Sequence, residues 1–393
     1  MDRRTPPGLV ERVGPRELRL HPCDEADFPS REPNEGFSLG STPETIFLGE
    51  GPITVECPDP LRFEIQPGVP AAQLEREQRF TKRKRSYTAR RPSVSRLPKG
   101  IVDTECFLTC PDEYHYLTDS LRGHRITEWF GYEVLPDWTQ VREVKSIAER
   151  DERVVVLGAQ NNDNYSHWLL ESVARAALFQ PFDDGTWLFL TPPLVPWQRR
   201  MLEFAGVSCN RIMELEPSGL IRFAEVVAVT RGLGRIQELN PAVLDVLASL
   251  APRVRRRRRL YISRAHTKVR RVSNEAALIE FFEGHGFETV HPQLLTIEEQ
   301  VELFAGAEIV AGVHGSGNSG VIFSAPATLV IELQSGGFDK GGIEYLWNLC
   351  AARGHRFVQV LCAHAAGTEG IPDTHRDITV DLPHLAATLS PLL

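Results

Sequence analysis

Short apolar runs alternate with amphipathic segments along the chain from about residue 101 onward. "RVVVLGA" and "TWLFLTP" have the continuous apolar character of buried strands, whereas "YSHWLLESVARAALF" and "PWQRRMLEFAG" space their apolar residues as helices do. "NPAVLDVLASLA" at residues 240–251 closes this half and predicts a helix, with Asn240 as its cap and Pro241 at its first position. We therefore predict an α/β domain over residues 101–252.

The alternation is stricter in the second half of the chain. Strands are predicted at "RRLYISR", "FETVHP", "EIVAGV", "TLVIEL" and "RFVQVLC", and helices at "SNEAALIEFFEGHG", "TIEEQVELFAGA", "GGIEYLWNLCAARG" and "LPHLAATLSPLL". Thr296 and Glu299 have the spacing of a capping box. This order is typical of a parallel sheet covered by helices on both faces, which binds ligands at the carboxyl ends of its strands. We predict a second domain over residues 253–393.

The first 100 residues lack a sustained apolar period and are rich in proline, glycine and charge, which predicts an irregular or weakly β N-terminal arm. The arm contains the basic run "REQRFTKRKRSYTARR". In a chain of net charge −8, such a run is more typical of a solvated face than of a nucleic-acid site. No nucleic-acid partner is predicted.

Composition narrows the class of protein further. The sequence contains neither an apolar stretch of about 20 residues nor the apolar segment of a secretory signal, so a cytoplasmic protein is expected, with peripheral association at the inner face of the membrane left open. The seven cysteines are scattered, which argues against a disulfide framework. Cys106 and Cys110 do not have the spacing of a paired zinc site, and no metal site is predicted.

A glycine-rich loop, "AGVHGSGNSGVIFSAPATLVIEL", begins after the strand "EIVAGV". Gly315, Gly317 and Gly320 have the spacing of a dinucleotide fingerprint. The interval to the next strand, at Thr328, leaves room for only about two helical turns, which is shorter than a dinucleotide βαβ unit requires. The loop is instead predicted to bind a phosphate through its backbone N–H groups, with a ligand-free turn packed on the sheet as the alternative.

Two segments of the chain resemble glycosyltransferase family 61 (DUF563). The core of that family is similar to the segment from "RLYISR" to "TLVIEL", with a Tyr-Ser-Arg strand, an Arg-Arg…Asn-Glu helix start, a Glu-Gln helix and a His-Gly-Ala-Gly loop in the same order. "NYSHWLLESVARAALF" resembles the family's upstream Asn…His-Trp…Glu…Arg segment. The chain departs from the family pattern at Ser316, Asn318, Ser319, Gly320 and Ala174.

The resemblance implies a fold and an activity. The fold would be GT-B, in which two Rossmann-like domains face each other across a cleft. The activity would be transfer of a sugar from a nucleotide-sugar donor to a glycan or polysaccharide hydroxyl, with inversion at the anomeric carbon and without a resident cofactor. A nucleotide-dependent oxidoreductase, favoured only by the glycine spacing, and a non-catalytic nucleotide- or glycan-binding protein remain alternatives.

Donor-binding residues are predicted at the carboxyl ends of strands in the second half. A guanidinium can hold two phosphate oxygens, and a carboxylate can accept hydrogen bonds from ribose hydroxyls. Metal is not expected to hold the diphosphate, because the chain has no Asp-x-Asp pair. The predicted set comprises Arg264, Arg271, His314, Gly315, Ser316, Gly317 and Glu332.

Catalytic residues are predicted on the helix that follows "RVVVLGA". His167, Glu171 and Arg175 recur at every fourth position and share one helical stripe. A helix N-terminus favours a neutral imidazole, so His167 is the predicted base, with Glu171 orienting its ring and Arg175 holding the Glu171 carboxylate. Asp163 is the competing base, and Asn164 and Arg175 are predicted to lie on the acceptor side.

Overall fold

A computed structural model describes residues 16–35, 37–38, 40–69, 86–120, 132–158, 162–232, 238–255, 257–335 and 344–393. The chain divides into two compact units, Met1–Pro52 with Arg90–Arg235, and Ile53–Ala89 with Ile236–Leu393. Within the described part of the chain, no helix is both long and apolar enough to cross a membrane. Most of the basic run, residues 76–85, lies outside the described residues.

The strands are, in chain order, β1 (Arg16–Cys23), β2 (Ser30–Arg31), β3 (Glu44–Phe47), β4 (Ile53–Glu56), β5 (Arg62–Ile65), β6 (Ser86–Ala89), β7 (Ser93–Pro98), β8 (Ile101–Asp103), β9 (Leu108–Cys110), β10 (His115–Leu117), β11 (Glu133–Val134), β12 (Gln140–Val144), β13 (Ala148–Glu149), β14 (Arg153–Val156), β15 (Leu188–Thr191), β16 (Ile212–Glu214), β17 (Leu220–Arg222), β18 (Glu225–Val229), β19 (Arg258–Ile262), β20 (Glu288–Val290), β21 (Ala307–Val313), β22 (Leu329–Gln334), β23 (Arg356–Leu361), β24 (Ala363–His364) and β25 (Ile378–Thr379).

The α-helices are, in chain order, α1 (Tyr165–His167), α2 (Ala174–Phe179), α3 (Pro196–Phe204), α4 (Pro241–Ser249), α5 (Glu275–Gly284), α6 (Ile297–Ala305), α7 (Glu344–Arg353) and α8 (Leu382–Leu389). A π-helical segment, Trp168–Val173, joins α1 to α2. A 3-10 helix, Ser316–Phe323, follows β21.

The first unit is built around a seven-stranded sheet of order β16-β15-β14-β18-β7-β3-β2. Its first four strands are parallel, and β7 and β3 continue the sheet antiparallel. Two four-stranded sheets, β10-β1-β12-β11 and β13-β17-β8-β9, complete the strands described in this unit. Since β14 and β18 are parallel neighbours, the segments that follow them emerge at the same edge of the sheet.

The second unit contains a six-stranded parallel sheet of order β20-β19-β21-β22-β23-β5. Alternate strand residues, such as Tyr261 and Ile331, pack with Leu278 and Phe282 of α5 and with Leu385 of α8. This core stabilises the sheet by burying a continuous apolar face. The loops after β19 and β21 leave the sheet at its carboxyl edge, side by side.

The α/β class and the parallel sheet of the second half are confirmed. Strands drawn from the predicted N-terminal arm belong to sheets of both units, since β3 and β7 lie in the seven-stranded sheet and β5 in the six-stranded sheet. Helix α4, which the sequence analysis placed at the end of the first half, belongs to the second unit.

Helix starts follow the sequence closely. The Asn240 side chain caps α4 with Pro241 at the first position, and Thr296 and Glu299 form the predicted capping box of α6. Asn274 precedes α5 without a side-chain cap; its amide instead pairs with the backbone of Val380. Asn274 therefore ties the start of α5 to the C-terminal part of the chain.

Candidate functional site

The helix that carries the predicted catalytic residues starts directly after the loop that leaves β14. The Asn164 side chain accepts hydrogen bonds from the backbone N–H groups of Ser166 and His167, so Asn164 is the N-cap of α1. The π-helical segment follows, and its wide turn is visible in the hydrogen bond from the Ala174 N–H to the Leu169 carbonyl. Such segments are rare and are found disproportionately at functional sites.

His167 and Glu171 form a close pair on this helix. His167 Nδ1 lies 2.7 Å from Glu171 Oε1, and the Glu171 side chain is 1% exposed while that of His167 is 16% exposed. A carboxylate can only accept, so the Nδ1–H donates and Nε2 is left to accept a proton. The competing base, Asp163, is exposed on the turn before the helix.

Arg231 lies on the other side of the Glu171 carboxylate. Its Nη1 is 3.9 Å from Glu171 Oε2, and its Nε is 3.7 Å from Asp119 Oδ1. The Arg231 backbone N–H donates to Asp119 Oδ2 at 3.1 Å, and the Gly232 N–H donates to the Leu170 carbonyl of the π-helical segment. Arg231 follows β18, so the adjacency of β14 and β18 brings it to the helix.

Arg175 lies near enough to Glu171 for the Glu171 charge to raise its pKa against the effect of burial, and its side chain donates hydrogen bonds to backbone carbonyls. It is buried, and its Nε and Nη1 donate to the carbonyls of Val229 and Gly158. A π-helical turn holds more residues than an α-helical turn, so the fourth-residue stripe is rotated after Glu171. Arg175 thus ties the helix to the ends of β14 and β18, and Arg231 lies beside the Glu171 carboxylate.

A second carboxylate, Glu25, borders the same charged cluster. Glu25 lines a small cavity together with Asp119 and Arg175. Burial, reinforced by the negative charge of Asp119, raises the pKa of Glu25 to about 8. Burial also lowers the pKa of Arg175 to about 10, with the positive charge of Arg231 acting in the same direction.

In the second unit, the glycine loop turns sharply from β21 into the 3-10 helix. A Cβ at Gly315 would overlap Arg264 Nη1, and a Cβ at Gly320 would overlap the Phe304 ring of α6. A Cβ at Gly317 would only touch Ile262 Cγ2, at 3.6 Å. The glycine spacing therefore has separate packing reasons, and Gly315, Ser316 and Gly317 form the partly exposed rim of the loop.

Arg264 lies against this rim. Its Nη2 donates to the Val269 carbonyl, while its backbone N–H is held by Glu275 Oε1, which also accepts from the Ser263 hydroxyl. Burial lowers the pKa of Arg264 to about 10, and the charge of Arg270 contributes in the same direction. Two partly desolvated guanidinium groups, one of which lowers the proton affinity of the other, form a cationic environment suited to an anion.

The second guanidinium belongs to Arg270, whereas the sequence analysis selected Arg271. Arg270 has a left-handed backbone, φ 56°, and burial lowers its pKa. The Arg271 side chain is 58% exposed and pairs with Asp377, to which it also donates from its backbone N–H. The sequence could not separate the two neighbours, because the turn of the chain at Arg270 decides their directions.

His314 and Glu332 are linked directly. His314 Nδ1 lies 2.6 Å from Glu332 Oε1, and Gln359 donates to Glu332 Oε2 at 3.0 Å. The Glu332 side chain is fully buried, which differs from its predicted role as an acceptor for ribose hydroxyls. Gly312, Glu332 and Gln359 are register partners on three adjacent strands, so the carboxylate lies under the loop and orients the histidine.

Sequence reasoning missed Arg231, Asp119 and Glu25, which are far from the helix motif in the chain. Their only signal was a charged residue next to a predicted strand or turn, and that is common at protein surfaces. Among the described residues, no three His, Cys, Asp or Glu side chains are grouped to hold a metal ion.

Comparisons with known proteins bear on both sites. A comparison with curated proteins found no match to the chain. Residues 165–331 match a protein family described as "Glycosyltransferase 61". The matched span runs from α1 into β22 and includes His167, Glu171, Arg231, Arg264 and His314. Residues 165–331 are therefore a region of glycosyltransferase family 61 type.

Proposed function

We propose that this glycosyltransferase moves a sugar from a nucleotide-sugar donor to a hydroxyl of a glycan or polysaccharide, with inversion and in a GT-B arrangement. The observation that carries the proposal is the position of the Arg264 guanidinium against the Gly315 backbone, at the carboxyl edge of a parallel sheet. Anionic ligands of such sheets bind at this edge. The second unit accordingly binds the donor, and the first unit binds the acceptor.

The donor diphosphate is held by positive charge and by backbone N–H groups. Arg264 and Arg270 supply guanidinium charge, and the loop Gly315–Gly317 supplies N–H groups at the start of the 3-10 helix. His314, oriented by Glu332, supplies a further donor from Nε2. These groups stabilise the negative charge that develops on the leaving diphosphate.

The acceptor hydroxyl is activated by His167. Nε2 of the neutral ring takes the hydroxyl proton as the oxygen attacks the anomeric carbon, and the bond from that carbon to the diphosphate oxygen breaks with its electron pair leaving on the nucleoside diphosphate. Glu171 holds the ring through Nδ1 and stabilises the imidazolium that forms. The ring is partly exposed, so a substrate can reach it.

The dinucleotide alternative loses its support. Gly315 and Gly320 lie in close contact with Arg264 and Phe304, and these contacts offer an explanation of their spacing that involves no nicotinamide cofactor. The non-catalytic alternative predicts nucleotide binding without turnover, and it is an outcome of the test below.

The test is release of nucleoside diphosphate from a panel of UDP-, GDP- and CDP-linked sugars, with water or added oligosaccharides as acceptors. We expect release from at least one donor, and a loss of at least about a hundredfold in turnover for His167→Gln with donor affinity retained. Binding without release in the wild type would favour the non-catalytic alternative. Full turnover in His167→Gln combined with an inactive Asp163→Asn would transfer the role of base to Asp163.

A further inference from the structure

A line of alternating charges runs from His167 through the first unit. Glu171 follows His167, Arg231 follows Glu171, and Asp119 follows Arg231, with separations of 2.7, 3.9 and 3.7 Å. The exposed fraction of these side chains falls from 16% at His167 to 1% at Glu171 and 5% at Arg231, and reaches 22% at Asp119. Glu25 and Arg175 lie beside Asp119 at the end of the line.

The ionisation of Glu171 decides which nitrogen of His167 is available. An ionised Glu171 can only accept, so Nδ1 carries the hydrogen and Nε2 is free to take a proton. A protonated Glu171 would donate to Nδ1 and move the ring hydrogen to Nε2, where it would block proton transfer. Burial alone favours the protonated carboxyl, and a nearby positive charge opposes this effect.

Arg231 is placed to supply that charge. It is 5% exposed, and the Gly232 N–H bond to the Leu170 carbonyl holds the segment that carries it against the π-helical turn. Asp119 accepts a hydrogen bond from the Arg231 backbone N–H and forms an ion pair with the Arg231 guanidinium at Nε. These two contacts fix where the guanidinium lies. Asp119 lies outside the residues matched to the family.

We propose that Arg231 and Asp119 are positioning residues for the base: Arg231 keeps Glu171 ionised so that His167 stays in the Nδ1–H form, and Asp119 holds Arg231 in place. The proposal rests on His167 being the base of the proposed transfer. The proposal gives a role to Arg231 and Asp119, which are distant in the chain from the helix that carries His167 and Glu171.

The charges predict shifts of opposite sign. Removing the positive charge of Arg231 makes the His167–Glu171 pair keep its proton to a higher pH. Asp119→Asn removes the negative charge but keeps an amide oxygen that can accept the Arg231 backbone N–H, so Arg231 stays in place and the pair loses its proton at a lower pH. A merely structural role for the two residues would not produce opposite signs.

The experiment follows His167 by NMR in protein labelled with ¹⁵N and ¹³C at histidine, with the signal assigned through His167→Gln. We compare the wild type with Arg231→Met, Arg231→Lys and Asp119→Asn. We expect the titration midpoint to rise by at least about 0.5 pH unit in Arg231→Met, to fall in Asp119→Asn, and to stay near the wild-type value in Arg231→Lys. The neutral ring of the wild type should be the Nδ1–H tautomer.

Arg96→Met is the matched control. Arg96 is a buried arginine of the same unit and pairs with Glu44 and Glu225. Arg96 is the register partner of Val227 in the middle of β18 and reaches Glu225 at the start of that strand, whereas Arg231 follows the end of the strand. Arg96→Met should reduce stability without moving the His167 titration.

Shifts of the same sign in Arg231→Met and Asp119→Asn, or an Nε2–H tautomer in the wild type, would overturn the proposal. If Arg231→Met does not fold, the nearly isosteric Asp119→Asn decides, since an unchanged or raised midpoint contradicts the proposed role. The titration needs no substrate. Full turnover in His167→Gln would therefore show that His167 is not the base. The titration would still report whether Arg231 and Asp119 act on the His167–Glu171 pair.

Discussion

Gly315 allows the Arg264 guanidinium to lie against the glycine loop, because a Cβ at this position would overlap Arg264 Nη1. A flexible side chain can move aside at little cost, so Gly315→Ala should fold. We expect Gly315→Ala to displace the guanidinium and to lower the affinity for a nucleoside diphosphate by roughly tenfold or more, as expected for loss of a charge-assisted contact. Calorimetric titration with UDP, GDP and CDP measures the effect. The prediction is contradicted if every nucleotide that binds the wild type binds Gly315→Ala with the same affinity.

Gly320→Ala should lower the stability of the protein and leave nucleotide binding intact, which is the reverse of the result expected for Gly315→Ala. The added methyl group would overlap the buried Phe304 ring, and overpacking of this kind costs about 1–3 kcal/mol of stability. We expect a lower thermal midpoint with the residual folded protein still binding nucleotide. Equal midpoints for Gly320→Ala and the wild type would show that the loop adapts.

Arg258 and Arg264 are arginines at opposite ends of β19, so their variants distinguish a site at the carboxyl edge from a general effect of charge. Arg258 pairs with Glu288 on the surface at the start of the strand, and Arg264 follows the end of the strand at the glycine loop. Arg264→Ala should weaken nucleoside diphosphate binding by about tenfold or more, whereas Arg258→Ala should leave it unchanged. Comparable losses in both variants would point to a general effect of charge and not to a site at the carboxyl edge.

Transfer is expected to proceed without a divalent metal. The chain has no Asp-x-Asp pair, and Arg264 and Arg270 supply positive charge beside the loop. Activity should persist after treatment with excess EDTA and dialysis into metal-free buffer. Abolition by the chelator, with rescue by manganese or magnesium, would show that the reaction uses a metal.

Glu25 should make the protein less stable as the pH rises. Its pKa is about 8 in the folded protein, above the ordinary value of 4.5, so the folded state binds more protons than the unfolded state between these values. Stability from this group is therefore present below pH 4.5 and is lost as the pH rises through 8, by at most about 1.4 kcal/mol per pH unit. Glu25→Gln should remove this loss. Denaturant titrations at pH 5 and pH 8 measure it, and an equal pH dependence in the variant and the wild type would be the contrary result.

The sequence by itself determined the local structure of the second unit. Its strands, helices and the caps at Asn240 and Thr296 follow from apolar spacing and from side chains that bond their own helix starts, which are interactions within a few residues. The family match likewise depends on residues in linear order. The pairing of His167 with Glu171 was predictable for the same reason, since the two residues are one turn apart.

Only the tertiary structure decided which groups surround those residues. The parallel pairing of β14 and β18 brings Arg231 to Glu171, the register of β21 with β22 places Glu332 under His314, and the left-handed turn at Arg270 separates it from Arg271. Each of these relations joins residues through strand pairing or a single backbone turn. Neither apolar periodicity nor motif spacing contains that information, because both describe positions along one element, whereas electrostatic interactions depend on distance through space.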